Sequence, residues 1–208
     1  MKSNGSPGFS YPHRLGRLFL ISLEEIIGRN GLNAVINHAR LTEPNTPTSI
    51  GAYDFQFETI SLIQHALQAN YGLRGGQGLA LRAGRAAFKH LLREYGPELG
   101  LADPSFKLLP VEDKVRLTSE VFAQLFNQYS DQRVEFSEAI GQYRWAIKRC
   151  PFCWQRQAED SVCLQIVGLL QEALYWVSSG QLYDVEEVAC IARGDPSCVI
   201  VIDKQPLS

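Results

Sequence analysis

Residues 161–204 read SVCLQIVGLLQEALYWVSSGQLYDVEEVACIARGDPSCVIVIDK. In the first half, Cys163, Ile166, Val167, Leu170, Ala173, Leu174 and Val177 fall on one face at helical spacing, which predicts a helix from about Ser161 to Ser178. Gly180 stands where a left-handed residue commonly ends a helix. The second half predicts two strands, Leu182 to Ala192 and Cys198 to Ile202, folded back across the turn Gly194-Asp195-Pro196. The chain therefore closes as a helix followed by an antiparallel hairpin.

Working back from there, Val134, Phe136 and Ala139, then Tyr143, Trp145 and Ile147, alternate with polar residues on either side of Gly141 and predict two more strands. Everything earlier reads as helical. Val111 to Tyr129 carries an apolar stripe through Val115, Thr118, Phe122, Leu125 and Phe126. Further helices are expected at Arg14 to Ile27, Leu32 to Leu41 and Leu79 to Tyr95, and from an Asp54 cap through Phe57, Ile60, Leu67 and Tyr71. Gly72 to Gly78 reads as a turn between helices, since it lacks both a Walker pattern and a strand–GxGxxG–helix context. Helices first and strands later imply an α+β fold, with N-terminal helices packed on a C-terminal antiparallel sheet. Residues 1–12 are expected to be a flexible leader and 13–208 a single domain, its motif-bearing part about 111–204.

Composition narrows the function. The 208 residues are 45% hydrophobic and 20% charged, an ordinary globular balance. Twenty basic against 22 acidic residues leave nothing with which to neutralise phosphates, so nucleic acid is not an expected partner. The polar N-terminus lacks the apolar core of a secretory signal, and no apolar run approaches a membrane span. A cytoplasmic location is expected, where clustered cysteines serve as metal ligands or catalytic thiols more often than as disulfides.

All five cysteines lie at or beyond residue 150: Cys150, Cys153, Cys163, Cys190 and Cys198. The hairpin brings Cys190 near Cys198, Cys163 can approach from the helix start, and Glu187 lies three positions before Cys190. Three thiolates and a carboxylate make an acceptable tetrahedral zinc shell. Cys150-Pro-Phe-Cys153 competes for the same role as a zinc half-site. The pair also suits redox chemistry, although the βαβ context for that is missing, and any of the five thiols can serve as a small buried hydrophobe. A strand sends Glu186 and Glu187 to opposite faces, so bringing Glu187 and Cys190 to one ion requires a bulge or bend.

The order Cys163, Gly168, Gly180, Glu187, Cys190, Gly194, Asp195 and Cys198 resembles the 4-vinyl-reductase (hydrocarbon-binding) domain family, and Leu81-Arg-Ala-Gly-Arg85 looks like its N-terminal helix motif. That family includes sensory domains of phenol- and toluene-responsive activators. It shares its fold with vesicle-tethering TRAPP subunits and haem-dependent nitric-oxide sensors, the NO-signalling/Golgi-transport ligand-binding class. The resemblance implies zinc as cofactor, held by Cys163, Glu187, Cys190 and Cys198, beside a pocket for a small aromatic or tetrapyrrole-like molecule. Phe122, Phe126, Trp145 and Trp176 are then candidate pocket residues, although aromatic stripes at helical spacing are more often core. It also implies a homodimer formed through the N-terminal helices, and a sensor or carrier rather than an enzyme. A reductase or accessory factor of chlorophyll-type pigment synthesis is the alternative that the family name implies, and a TRAPP-like interaction subunit is another. Leu164 stands where a Trp often follows the first cysteine, and the Cys150–Cys153 pair is an addition to the activator pattern. His13, His38, His65 and His90 are scattered and suggest surface or capping roles, while Glu24-Glu25 reads as a solvated helix face.

Overall fold

The computed structural model describes residues 8–41, 54–101 and 103–207. The first elements are β1 (Ser10–Tyr11), α1 (His13–His38), β2 (Phe55–Gln56), α2 (Phe57–Tyr71) and α3 (Leu73–Leu99). They lead through a short α4 (Pro104–Lys107) to α5 (Val111–Tyr129), β3 (Arg133–Ala139) and β4 (Gln142–Arg149). A 3₁₀ turn at Pro151–Cys153, α6 (Leu164–Val177), β5 (Tyr183–Ala189), a second 3₁₀ turn at Ile191–Arg193 and β6 (Cys198–Pro206) complete the described chain. The four later strands form one antiparallel sheet in the order β3-β4-β6-β5. This is the α+β arrangement expected, with both hairpins where their turn glycines place them.

The local reasons are those of the sequence, with instructive exceptions. Gly28 takes φ 72° inside α1 and divides it where two helices are expected. The glycine-dense stretch is not a seven-residue turn. Only Gly72, at φ 74°, breaks the helix, while Gly75, Gly76 and Gly78 lie within α3. Gly76 is needed there because a Cβ would sit 2.6 Å from the Gln68 Cα, across the α2–α3 hairpin. Asp54 does not cap α2; its Oδ1 accepts from the His13 backbone N–H at 3.0 Å, fixing the start of α1. The leader expected over residues 1–12 lies outside the described residues as far as residue 7. Beyond it, Ser10 and Tyr11 pair with β2, and Tyr11 is fully buried with its hydroxyl donating to Gln132 Oε1.

One continuous core joins all layers. In β4, Tyr143, Trp145 and Ile147 point inward, and Trp145 Nε1 donates to the Ser119 carbonyl of α5 at 3.0 Å. The tightest seam runs between α3 and α6. A Cβ on Gly84 would meet the Gln165 carbonyl oxygen at 2.0 Å, and one on Gly168 the Leu81 carbonyl oxygen at 2.0 Å. The two glycines let the helix backbones touch, which settles where the N-terminus of α6 lies over the sheet.

A buried cysteine cluster as the candidate metal centre

Four chain segments converge at the N-terminus of α6. The run after β4 brings Cys150, and the 3₁₀ turn after it brings Cys153. Cys163 is the residue preceding α6, Cys190 follows the end of β5, and Cys198 opens β6. The proline of Cys150-Pro-Phe-Cys153 opens that turn, so the chain folds back and both thiols face inward. All five cysteines are fully buried and none is in a disulfide.

The bulge that Glu187 requires is present. The β5–β6 register shifts between Glu187 and Ala189, so that Glu187 points in, Val188 points out, and Cys190 points in again. Asp195 holds the hairpin end, its Oδ2 accepting from the Cys190 N–H at 2.8 Å, while Gly194 supplies a φ of 95°.

The sulfurs are close together. Cys150–Cys163 Sγ are 3.4 Å apart, Cys153–Cys198 3.3 Å, Cys163–Cys198 3.7 Å, and Cys190 lies 3.9 Å from both Cys163 and Cys198. Tetrahedral coordination with a metal–sulfur bond near 2.3 Å separates ligand sulfurs by about 3.8 Å, while a disulfide needs about 2.05 Å. The spacing rules out disulfides; it suits both thiols in S–H···S contact and ligands around an ion. Two overlapping groups of four each keep all their donor atoms within 4.8 Å of one another: Cys150, Cys153, Cys163 and Cys198, and Cys163, Glu187, Cys190 and Cys198.

Glu187 sharpens the picture. Its Oε2 accepts from the Cys163 N–H at 2.8 Å, a carboxylate at a helix N-terminus, whereas Oε1 is buried without a partner. An unpartnered buried carboxylate oxygen is costly and wants a proton or a cation. Burial pushes the Glu187 carboxyl up, raises Cys150 to about 11 and drives Cys163 well above the usual thiol range. Hydrogen bonds from the surrounding thiols, that from Cys150 foremost, pull Cys153 down. The donors therefore cannot all ionise together without a positive charge among them. Arg156 is the nearest fixed one. It is partly buried, which lowers its pKa, and it is bonded to Gln68 Oε1 at 2.6 Å; negative charge on the cluster counters that lowering. The Ile191 N–H donates to Cys198 Sγ at 3.3 Å.

Every metal-ligand candidate read from the sequence, Cys163, Glu187, Cys190 and Cys198 with the alternates Cys150 and Cys153, thus meets in one place. The pocket candidates do not converge. Phe122, Phe126 and Trp145 are fully buried core residues, Phe126 meeting Trp145 edge-on at 6.2 Å, while Trp176 is half-exposed against Phe88. Arg156 and Asp195 had escaped notice as site residues. Asp195 was legible as a turn former, but Arg156 carries no local signal. Among the histidines, His90 bonds Glu25 at 3.1 Å and His38 bonds Asn70 at 2.8 Å, both away from the cluster.

No protein-family model and no curated protein matches the chain. Solved structures do. An H-NOX protein from S. oneidensis in the Fe(II)NO ligation state is similar at a TM-score of 0.60 and 13% identity, covering 92% of this chain and 99% of that one. The Fe(II) unliganded H-NOX protein from K. algicida gives 0.58 and 15%, covering 95% and 97%. A structure from a study of heme distortion in the H-NOX family gives 0.56 and 16%, covering 93% and 95%. The chain has the H-NOX fold. At these identities the likeness establishes architecture alone.

Two expectations are corrected by this. The resemblance to the 4-vinyl-reductase family is not upheld, since the neighbours are H-NOX proteins and no family model matches. Its motif describes a local device, a bulged hairpin tied to a helix start, and a device of eight residues does not specify a family. Zinc as the cofactor is likewise withdrawn, because the H-NOX neighbours are named for Fe(II) and heme.

Haem does not fit the described residues either. A ligand of that size needs a pocket of roughly 300–1,000 Å³ and an axial His, Cys, Met or Tyr reaching into it. The space between α1 and α2, lined by Phe19, Leu23, Phe55, Ile60 and Gln64, measures only about 10 Å³, and the cleft of about 600 Å³ beside Arg156, Ile191 and Gly194 has no residue of those four types in its lining. The groove of about 900 Å³ between α3, α6 and β5 is open to the surface, and none of its lining residues is of those four types.

Proposed function

We propose that this chain is a sensory-type domain of H-NOX fold whose cofactor site is the buried cysteine cluster, occupied by a thiophilic metal ion. The observation that carries this is the convergence of five fully buried sulfurs, neighbouring ones 3.3–3.9 Å apart, with the unpartnered Glu187 Oε1. Metal binding would tie the N-terminus of α6 to both hairpins. Because the ligands are far apart in the unfolded chain, binding free energy becomes folding free energy, and occupancy sets the rigidity of the domain's C-terminal third.

The test is metal analysis of the purified protein, followed by cobalt(II) loading of the metal-free form. Stoichiometric metal and a thiolate-to-cobalt charge-transfer band, both lost in Cys198→Ser, are expected. A protein that is isolated metal-free and folded, and that shows no such band, would overturn the proposal.

A second reading has its own support. The open groove is lined in part by Leu73, Leu81, Leu164, Val167, Val185 and Val188, and Glu187 lines it as well. A small apolar molecule seated there would press on the strand that carries the carboxylate. This keeps the expected hydrophobic ligand but places it outside the core, away from Phe122, Phe126 and Trp145. Toluene or phenol would then raise the unfolding temperature of the wild type but not of Val185→Asp. No shift with either compound would remove this reading.

A further inference from the structure

The two groups of four donors share Cys163 and Cys198 and nothing else. Each group on its own supplies the four donors that a tetrahedral shell needs. A single ion in the first would leave Glu187 and Cys190 buried without metal, and a single ion in the second would leave Cys150 and Cys153 so. Both leftover pairs are fully or nearly fully buried, and Glu187 Oε1 has no other partner.

We propose that the cluster is a two-metal centre, in which Cys163 and Cys198 bridge two divalent ions. The proposal rests on the cluster being a metal site at all. Cys150 and Cys153 would complete the shell of one ion, and Glu187 and Cys190 that of the other. The two tetrahedra share the Cys163–Cys198 edge, and its 3.7 Å length matches the roughly 3.8 Å expected of such an edge. All six donors are used and none is stranded. The sharing uses the Cys150–Cys153 pair and the Glu187–Cys190 pair together, where either four-ligand site alone uses only one of them. Coordination is a proton exchange and involves no electron transfer: thiols and carboxyl give up their protons to solvent as sulfur–metal and oxygen–metal bonds form. Two divalent ions against six anionic donors leave two negative charges, and the Arg156 guanidinium beside the cluster offsets part of this.

The experiment is a cobalt(II) titration of the metal-free full chain, followed by the charge-transfer band and by electron paramagnetic resonance. The wild type should take up two equivalents. The resonance signal should grow with the first and shrink with the second, because shared sulfurs couple the two spins. C150S/C153S and E187Q/C190S should each take up one equivalent and keep a full, uncoupled signal, with circular dichroism confirming that they are folded. Saturation of the wild type at one equivalent would overturn the two-metal centre while leaving the metal site standing. Two equivalents with simply additive signals would remove the bridging. No uptake would remove the metal site itself. The wild-type stoichiometry decides the matter even if a double variant fails to fold.

Discussion

Gly168→Ala should behave against the usual rule for helices. In an exposed helix interior, replacing Gly by Ala stabilises by about 0.8–1 kcal/mol. At Gly168 the added methyl would lie 2.0 Å from the Leu81 carbonyl oxygen, 2.9 Å from its carbon and 3.2 Å from the Arg85 nitrogen. Those atoms are helix backbone and cannot rotate aside. Restoring an ordinary contact of about 3.4 Å requires α3 and α6 to separate by roughly 1.4 Å at their crossing, which forfeits a large part of the dispersion energy along the seam. Overpacking costs of 1–3 kcal/mol are typical, and this one belongs at the upper end, about 3 kcal/mol. For a chain of this size that corresponds to a drop of roughly 6–12 °C in unfolding temperature. Gly78→Ala is the matched control. It lies on the same α3, exposed, with nothing within 4 Å of an added Cβ, and it should stabilise by nearly 1 kcal/mol. Urea unfolding of both variants in the same metal state measures the contrast. If Gly168→Ala proves neutral or stabilising, the close helix crossing is wrong.

Tyr11→Phe should cost about 1–3 kcal/mol by denaturant unfolding, since it leaves the buried Gln132 Oε1 without its donor. A cost near zero would mean that the N-terminal strand is not docked. Glu25 is held below the usual carboxylate range by its bond to Lys89 and then by His90, so its contribution is present above the unfolded pKa and fades as pH falls through the lower folded value. Glu25→Gln should therefore lose a few tenths of a kcal/mol at pH 7, an exposed pair's worth, and should match the wild type near pH 2. An equal deficit at both pH values would point to packing instead. Haemin added to the purified chain should give no saturable one-to-one Soret shift; a stoichiometric shift would show that the core opens further than its packing suggests.

Periodicity and turn chemistry laid out most elements in advance: the amphipathic α5, the two hairpins, the break at Gly28, and the end of α6 before Gly180. The errors had local causes. Gly75, Gly76 and Gly78 look like turn residues, yet they are helical because α2 and α3 approach too closely to admit a Cβ at position 76. Asp54 looks like a cap, yet its carboxylate serves α1 from across the β1–β2 pair. That the five thiols and Glu187 would come together was legible because the cysteines are few and all lie in the last 59 residues. The pocket residues were not, because an aromatic stripe looks the same whether it lines a cavity or fills it.

The amino-acid order alone pointed to the α+β class, the hairpins, and a four-donor set, Cys163, Glu187, Cys190 and Cys198, with Cys150 and Cys153 competing for the same role. It could not establish that Glu187 and Cys190 share a side, because that depends on a register shift that only pairing with β6 imposes. Nor could it reveal that these side chains gather into two overlapping groups of four sharing Cys163 and Cys198, since distances between sulfurs many residues apart arise only when four segments are packed on one helix start. The filled interior was equally out of reach of the sequence: volume is a property of side chains meeting across the core, and no single segment carries it.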